Sequence, residues 1–214
     1  MTRTRIKICG LKTTEHIDDA VDAGADAIGF VLYPPSARNV SLADAAALTR
    51  HVPAFVTTVA LFVNPTESEV RDAMNHARID LLQFHGDEPR DFCESFARPY
   101  MKAFPVADGF DLLESWKQYS SASALLLDTP SAGHGGSGKT FNWQLISQPN
   151  RKSESAARLV LSGGLTPANV GDAMRAVRPF AVDVSSGVEV TRGVKSSELI
   201  YEFCRAVRLA DSPL

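Results

Sequence analysis

Residues 158–187 read RLVLSGGLTPANVGDAMRAVRPFAVDVSSG, and the reading of this stretch decides the fold. RLVLS at 158–162 and AVDVS at 181–185 are short runs rich in β-branched and leucine residues, each closed by a turn of small residues. Between them Val170, Ala173, Met174 and Val177 recur at the spacing of one apolar helix face. Pro167 sits where a first helical turn tolerates proline. Strand, helix and strand in that order are the repeating unit of a parallel α/β sheet.

Working outward, the same kind of run recurs at 5–9 (RIKIC), 26–33 (DAIGFVLY), 56–63 (VTTVALFV), 81–84 (LLQF), 100–104 (YMKAF) and 124–128 (ALLLD). Helical spacing returns in Val70, Ala73, Met74 and Ala77, and in Ile200, Phe203, Cys204 and Val207. Thr66 to Glu69 is a capping box, and Ser41 to Asp44 a weaker one. Eight such strands and intervening helices, with no Pro/Gly-rich linker, predict one α/β domain over residues 1–214. The predicted architecture is a single-domain (β/α)8 TIM barrel, compact beside the ~250 residues more usual for that fold. An open doubly wound sheet is the alternative, and the strand count separates the two.

Bulk properties narrow the function. The chain has 214 residues, 44% of them hydrophobic, with 22 Lys and Arg against 25 Asp and Glu and a net charge of -3. No run of like charge favours nucleic acid or an anionic membrane as partner. Cys9, Cys93 and Cys204 are odd in number and far apart, which fits a reducing cytoplasm better than a disulfide framework or a zinc site. The start, MTRTRIKICG, has no apolar signal core, and the longest apolar stretch, near Val59 to Val63, is far short of the ~20 residues of a membrane span. His16, His51, His76 and His134 share no ligand spacing, so no metal is expected.

Residues 133–140, GHGGSGKT, match the nucleotide P-loop pattern. The flanks do not. Thr-Pro-Ser-Ala separates the preceding strand from the first glycine, and Phe141 to Ile146 allows only a short helix before Pro149. The competing readings are a mobile glycine-rich loop without ligand and a phosphate-binding loop of another kind. Ser147 to Ala157 reads as a polar, solvated connection. Two further small-residue turns, Ser162-Gly163-Gly164-Leu165 and Ser185-Ser186-Gly187-Val188, follow the seventh and eighth strands. In a barrel those loops are the common phosphate site, because glycine lets backbone N–H groups approach the anion.

If the carboxyl ends of the strands share one mouth, Cys9, Arg38, His85, Asp128 and Asp183 gather there. Each has a plainer reading. Cys9 is a thiol at the mouth, or a small buried hydrophobe; as a base it needs a cationic surrounding to become a thiolate. Asp128 ends an apolar run, and such burial suits a general acid; alternatively it caps the next turn through Thr129 or Ser131. Arg38 could grip a substrate carboxylate through its fork, or be an ordinary arginine in a proline-bounded loop.

In KICGL (7–11), GFVLYPPSAR (29–38), LFVNPT (61–66), LLQFHGDE (81–88), LLLDT (125–129), GGSGKTFNW (135–143), SGGLTPANV (162–170) and VDVSSGVE (182–189), the chain closely resembles the phosphoribosylanthranilate isomerase family of tryptophan biosynthesis. The blocks run in family order over essentially the whole chain. The resemblance implies a (β/α)8 barrel and an Amadori rearrangement of N-(5'-phosphoribosyl)anthranilate to 1-(2-carboxyphenylamino)-1-deoxyribulose 5-phosphate, without cofactor.

The resemblance also implies roles. Cys9 is the general base and Asp128 the general acid, while Arg38 holds the anthranilate carboxylate. Gly163, Gly164, Ser186 and Gly187 hold the phosphate, Ser185 belongs to the substrate-binding set, and His85 and Asp183 contact the sugar or support the site. The GGSGK loop belongs to the barrel mouth. Ser162 stands where alanine is expected, and TRGVKSS (191–197) lacks the family's proline and aspartate, which leaves the contacts of the eighth loop open. The implied partner is a small phosphosugar, with the protein a monomer or homodimer. Rival functions are a non-catalytic phosphosugar-binding barrel, an isomerase acting on a related phosphoribosyl amine, and, least favoured, nucleotide hydrolysis through GHGGSGKT. The histidine-pathway isomerase, the nearest enzymatic rival, uses two aspartates, and Cys9 argues against it.

Overall fold

The computed structural model describes residues 3–130, 140, 142–146 and 158–212. Eight strands form a closed parallel barrel: β1 (Arg5–Cys9), β2 (Ala27–Val31), β3 (Thr57–Phe62), β4 (Leu81–Phe84), β5 (Tyr100–Pro105), β6 (Ala124–Asp128), β7 (Leu159–Leu161) and β8 (Ala181–Val184). Each pairs with its sequence neighbours, and β8 returns to β1 with Lys7 opposite Asp183 and Ile8 opposite Val184. That closure removes the open-sheet alternative. Every predicted strand is present.

The helices are α1 (Thr14–Asp22), α2 (Leu42–His51), α3 (Glu67–His76), α4 (Arg90–Glu94), α5 (Leu112–Gln118), α6 (Val170–Val177) and α7 (Ser197–Asp211). Beyond β8, Ser186–Val188 makes a short 3-10 turn, and β9 (Glu189–Thr191) and β10 (Val194–Lys195) form a small antiparallel hairpin before α7.

Side chains alternate across each strand, so one set fills the barrel and the other faces the helices. Inside, Val59, Met101, Ala103, Ala124, Leu126, Val160 and Ala181 form an apolar plug. Nearer the mouth the lining mixes polar groups, Gln83, His85, Asp128, Asp183 and Ser185, with Cys9, Val31, Leu61 and Val63, and Lys7 is buried beside them. Outside, Ile6, Ile8, Ile28, Phe30, Leu127 and Val182 pack against Ile17, Val170, Ala173, Phe203 and Cys204 of the helices. Each such apolar side chain contributes about 1.5–3 kcal/mol of burial free energy. This is why the strands read as continuous apolar runs.

Local signals hold with three adjustments. The Thr66 capping box is complete: its hydroxyl accepts from the Glu69 amide, and the Glu69 carboxylate accepts from the Thr66 amide. Ser41 does cap α2, but Asp44 bonds the Ser41 hydroxyl rather than its amide, so the box is not reciprocal. Pro167 lies in the turn before α6, which starts at Val170 with Asn169 as its cap. Between β6 and β7 the described residues include a 3-10 turn, Trp143–Leu145, and no α-helix. Residues 131–139, 141 and 147–157, which include most of GHGGSGKT and the polar connection, lie outside the described residues. No helix among the described residues is long and apolar enough to cross a membrane.

Candidate active site

The carboxyl ends of the strands enclose one cavity, lined by Cys9, Arg38, Gln83, His85, Asp128, Ser162 to Leu165, Asp183 to Ser186 and Arg192 among others. Of the residues given catalytic or substrate-binding roles from the sequence, all but Gly187 line it, while the GGSGK loop lies outside the described residues. Gly187 follows directly, in the 3-10 turn after β8.

Cys9 ends β1 and is 4% exposed. Burial pushes its thiol up from the ordinary value; Lys7 pulls it back, Asp183 pushes it up, and Lys195 pulls it back. Gly10 then turns the chain at φ 82°. Its bare Cα lets Arg38 lie across it, since a Cβ there would meet the Arg38 Cδ at 2.8 Å.

Asp128 ends β6, three strands from β1 around the barrel, and is 7% exposed. Its Oδ1 accepts from the Thr129 amide at 2.7 Å, so the capping alternative is also realised, on one oxygen only. Its Oδ2 lies 3.2 Å from His85 Nε2. His85 Nδ1 lies 3.0 Å from Gln83 Nε2. With the amide nitrogen of Gln83 donating, Nδ1 is an acceptor and Nε2–H donates to Asp128; this tautomer is assigned from the network. Gln83 is fully buried, and its Oε1 has no partner among the described residues.

Arg38 is not a free surface arginine. It is 7% exposed, and its Nε and Nη2 bond the two oxygens of Glu189 at 2.7 and 2.8 Å. Glu189 also accepts from Lys195 Nζ at 2.8 Å and from the Gly193 amide at 3.0 Å. Burial opposes its charge, but Arg38, Lys195 and the Gly193 amide prevail and hold its pKa down to about 2. The end-on donors of Arg38, on Nη1 and the second hydrogen of Nη2, have no partner among the described residues, a pair with the geometry to take a carboxylate.

The two small-residue turns are locked together. Gly163 adopts φ 86° and a Cβ on it would approach the Thr129 amide nitrogen to 2.6 Å. A Cβ on Gly187 would collide with the Leu165 carbonyl. Asn169 braces the seventh loop, donating to Gly164 O at 2.9 Å and accepting from the Thr166 amide at 2.8 Å. The Ser185 hydroxyl donates to the Cys9 carbonyl at 3.0 Å. Ser162, the departure from the expected alanine, places its hydroxyl 3.2 Å from Asp183 Oδ2. Asp183 itself takes Lys7 Nζ at 2.7 Å on its other oxygen.

Sequence reasoning missed Lys7, Gln83, Glu189, Arg192 and Lys195. The inward alternation along β1 and β4 pointed to Lys7 and Gln83, each two residues before a chosen residue. Glu189 and Lys195 had no such signal, because their partners lie in the hairpin fold and, for Glu189, 151 residues away. Arg192, also in the hairpin, has no ion pair among the described residues, so the mouth carries uncompensated positive charge suited to an anionic ligand.

A family model described as N-(5'phosphoribosyl)anthranilate (PRA) isomerase matches residues 6–206. The N-(5'-phosphoribosyl)anthranilate isomerase of Dechloromonas aromatica is 53% identical over 212 residues, covering 99% of this chain and 100% of that one. Among solved structures, the phosphoribosyl anthranilate isomerase of Thermotoga maritima is similar with a TM-score of 0.86 and 41% identity, over 96% of this chain and 98% of that one. Another, a phosphoribosyl anthranilate isomerase in complex with reduced 1-(o-carboxyphenylamino)-1-deoxyribulose 5-phosphate, has a TM-score of 0.83 and 38% identity over 96% of this chain and 98% of that chain.

Proposed function

The chain belongs to the N-(5'-phosphoribosyl)anthranilate isomerase family, and from that premise we propose that Cys9 and Asp128 are the base and acid with which it works. The protein is an aldose-ketose isomerase of tryptophan biosynthesis. It converts N-(5'-phosphoribosyl)anthranilate into 1-(2-carboxyphenylamino)-1-deoxyribulose 5-phosphate. The observation behind this assignment of roles is the placement of a thiol and a carboxyl at the carboxyl ends of β1 and β6, three strands apart around the closed barrel and lining one cavity.

Asp128 protonates the furanose ring oxygen as the aryl nitrogen opens the ring to an iminium. The iminium acidifies the C2' hydrogen, which Cys9 removes to give an enolamine that tautomerises to the ketone. The substrate's nitrogen serves as the electron sink, so the chemistry calls for no separate cofactor. Gly163, Gly164, Ser186 and Gly187 hold the phosphate, and its binding energy fixes C2' against Cys9. Arg38, steadied by Glu189, takes the anthranilate carboxylate on its end-on donors. Ser185, His85 and Asp183 act behind these groups rather than as primary contacts. The three unpaired cysteines fit a cytoplasmic enzyme.

The test is turnover. Loss of anthranilate fluorescence when purified protein meets freshly made phosphoribosylanthranilate is the expected result; a folded protein that binds phosphate yet leaves the fluorescence unchanged would refute the reading.

A further inference from the structure

A buried thiol is a poor base unless a positive charge stabilises its thiolate. Four charged groups face Cys9: Lys7 on its own strand, Asp183 on β8, Lys195 on β10 and Arg38 from the loop after β2. Arg38 and Lys195 are committed elsewhere. Arg38 is bonded to Glu189, and Lys195 donates to Glu189, to the Ser185 carbonyl at 2.9 Å and to the Ser185 hydroxyl at 3.2 Å.

Lys7 is different. It precedes Cys9 by two residues on β1, so strand alternation turns both side chains into the barrel, with the ammonium one layer below the thiol. Its side chain is 5% exposed, and Asp183, equally buried, accepts from Nζ at 2.7 Å. Burial alone depresses the pKa of Lys7, but Asp183 and Cys9 more than offset it, so the group stays cationic. Gly29 sits opposite Cys9 in the β1–β2 register. A Cβ on Gly29 would lie 2.8 Å from Cys9 Sγ and 3.1 Å from Lys7 Nζ. Any larger residue there would crowd both thiol and ammonium.

We propose that Lys7 is a positioning residue of the reaction: held beneath Cys9 by Asp183, its ammonium stabilises the thiolate that accepts the C2' proton, across a gap that Gly29 keeps open. The inference rests on the reading of Cys9 as the base. In the step concerned the C2'–H bond breaks, its electron pair forms the C1'–C2' double bond, the iminium π pair returns to nitrogen, and the proton passes to Sγ. Lys7 remains an ammonium throughout.

The experiment is a pH titration of ultraviolet thiolate absorbance, taken for each protein as the difference from its Cys9→Ser counterpart, so that Cys93 and Cys204 cancel. Lys7→Met should raise the midpoint by about one pH unit or more. Asp183→Asn, which keeps an acceptor for Lys7 but removes the opposing charge, should lower it. The acid limb of kcat/KM should move the same way in each variant. Folded Lys7→Met protein that titrates as the native does overturns the proposal. If Lys7→Met does not fold, because Asp183 is left buried and unpaired, the double variant Lys7→Met/Asp183→Asn is compared with Asp183→Asn, so that only Lys7 differs: a higher midpoint in the double variant supports the proposal, and an equal or lower one overturns it. Failure of the isomerase reading would show itself separately, as absence of turnover in the native protein, and would remove the role of Lys7 in this reaction with it.

Discussion

Glu189 shows how one side chain sets the working face of another. Its carboxylate occupies the side-on fork of Arg38 and leaves the end-on donors for the proposed contact with the substrate carboxylate. Glu189→Gln should therefore raise KM more than it lowers kcat, because it loosens the grip on a group remote from the bond changes; equal losses in both would contradict this. The same carboxylate carries a pH signature. Its folded pKa is depressed from 4.5 to about 2, so its stabilisation is present above the unfolded value and is lost as pH falls through the folded one. By linkage that amounts to on the order of 3 kcal/mol. Urea unfolding near neutrality and again between these two values should show a smaller difference in Glu189→Gln than in the native protein. Cys9, Asp128 and Arg38 were legible because each stands at a strand end or just past one inside a quotable motif. Glu189, Lys195 and the Gln83–His85–Asp128 chain were not, since they are relations between distant residues and no local pattern encodes them.

At the scale of elements, the parallel strands were legible because both of their faces are buried, which makes each an apolar run bounded by turns. Helix starts were legible where a hydroxyl side chain caps them, as Ser41 and Thr66 do. Thr66→Ala should cost about 1 kcal/mol in chemical denaturation, and a neutral result would mean that the observed capping box adds nothing to α3. The boundary of α6 was misplaced because Pro167 belongs to a turn that Asn169 braces from within. The β9–β10 hairpin was invisible, its strands being too short to show alternation, yet it supplies Glu189, Arg192 and Lys195. Gly187→Ala should force the seventh and eighth loops apart and weaken binding of inorganic phosphate by roughly tenfold, about 1.4 kcal/mol. Calorimetry showing unchanged affinity would exclude these turns as the phosphate cradle.

At the scale of the molecule, closure is what makes a site of these parts. The β1–β8 seam brings Lys7 to Asp183, and Cys9 to Ser185, 176 residues apart in each case. The ends of the chain are tied at the same seam: Asp211, at the end of α7, accepts from the Thr4 amide at 2.7 Å and its hydroxyl at 2.8 Å. Asp211→Ala leaves two donors of a buried threonine unmet and should cost about 1–2 kcal/mol in urea unfolding. An unchanged midpoint would show that the tie is dispensable. The barrel itself was legible from the count of strands, whereas the depth of its polar layer emerges only when alternation is followed inward around a closed sheet. The proposed division of the proton transfers between Cys9 and Asp128 depends on that mouth. It is tested most directly by single-turnover and steady-state fluorescence assays of native, Cys9→Ala and Asp128→Asn proteins side by side. Native turnover that falls by ~10² or more in each variant, with product affinity little changed, is the predicted result; a folded variant that retains native turnover would contradict it.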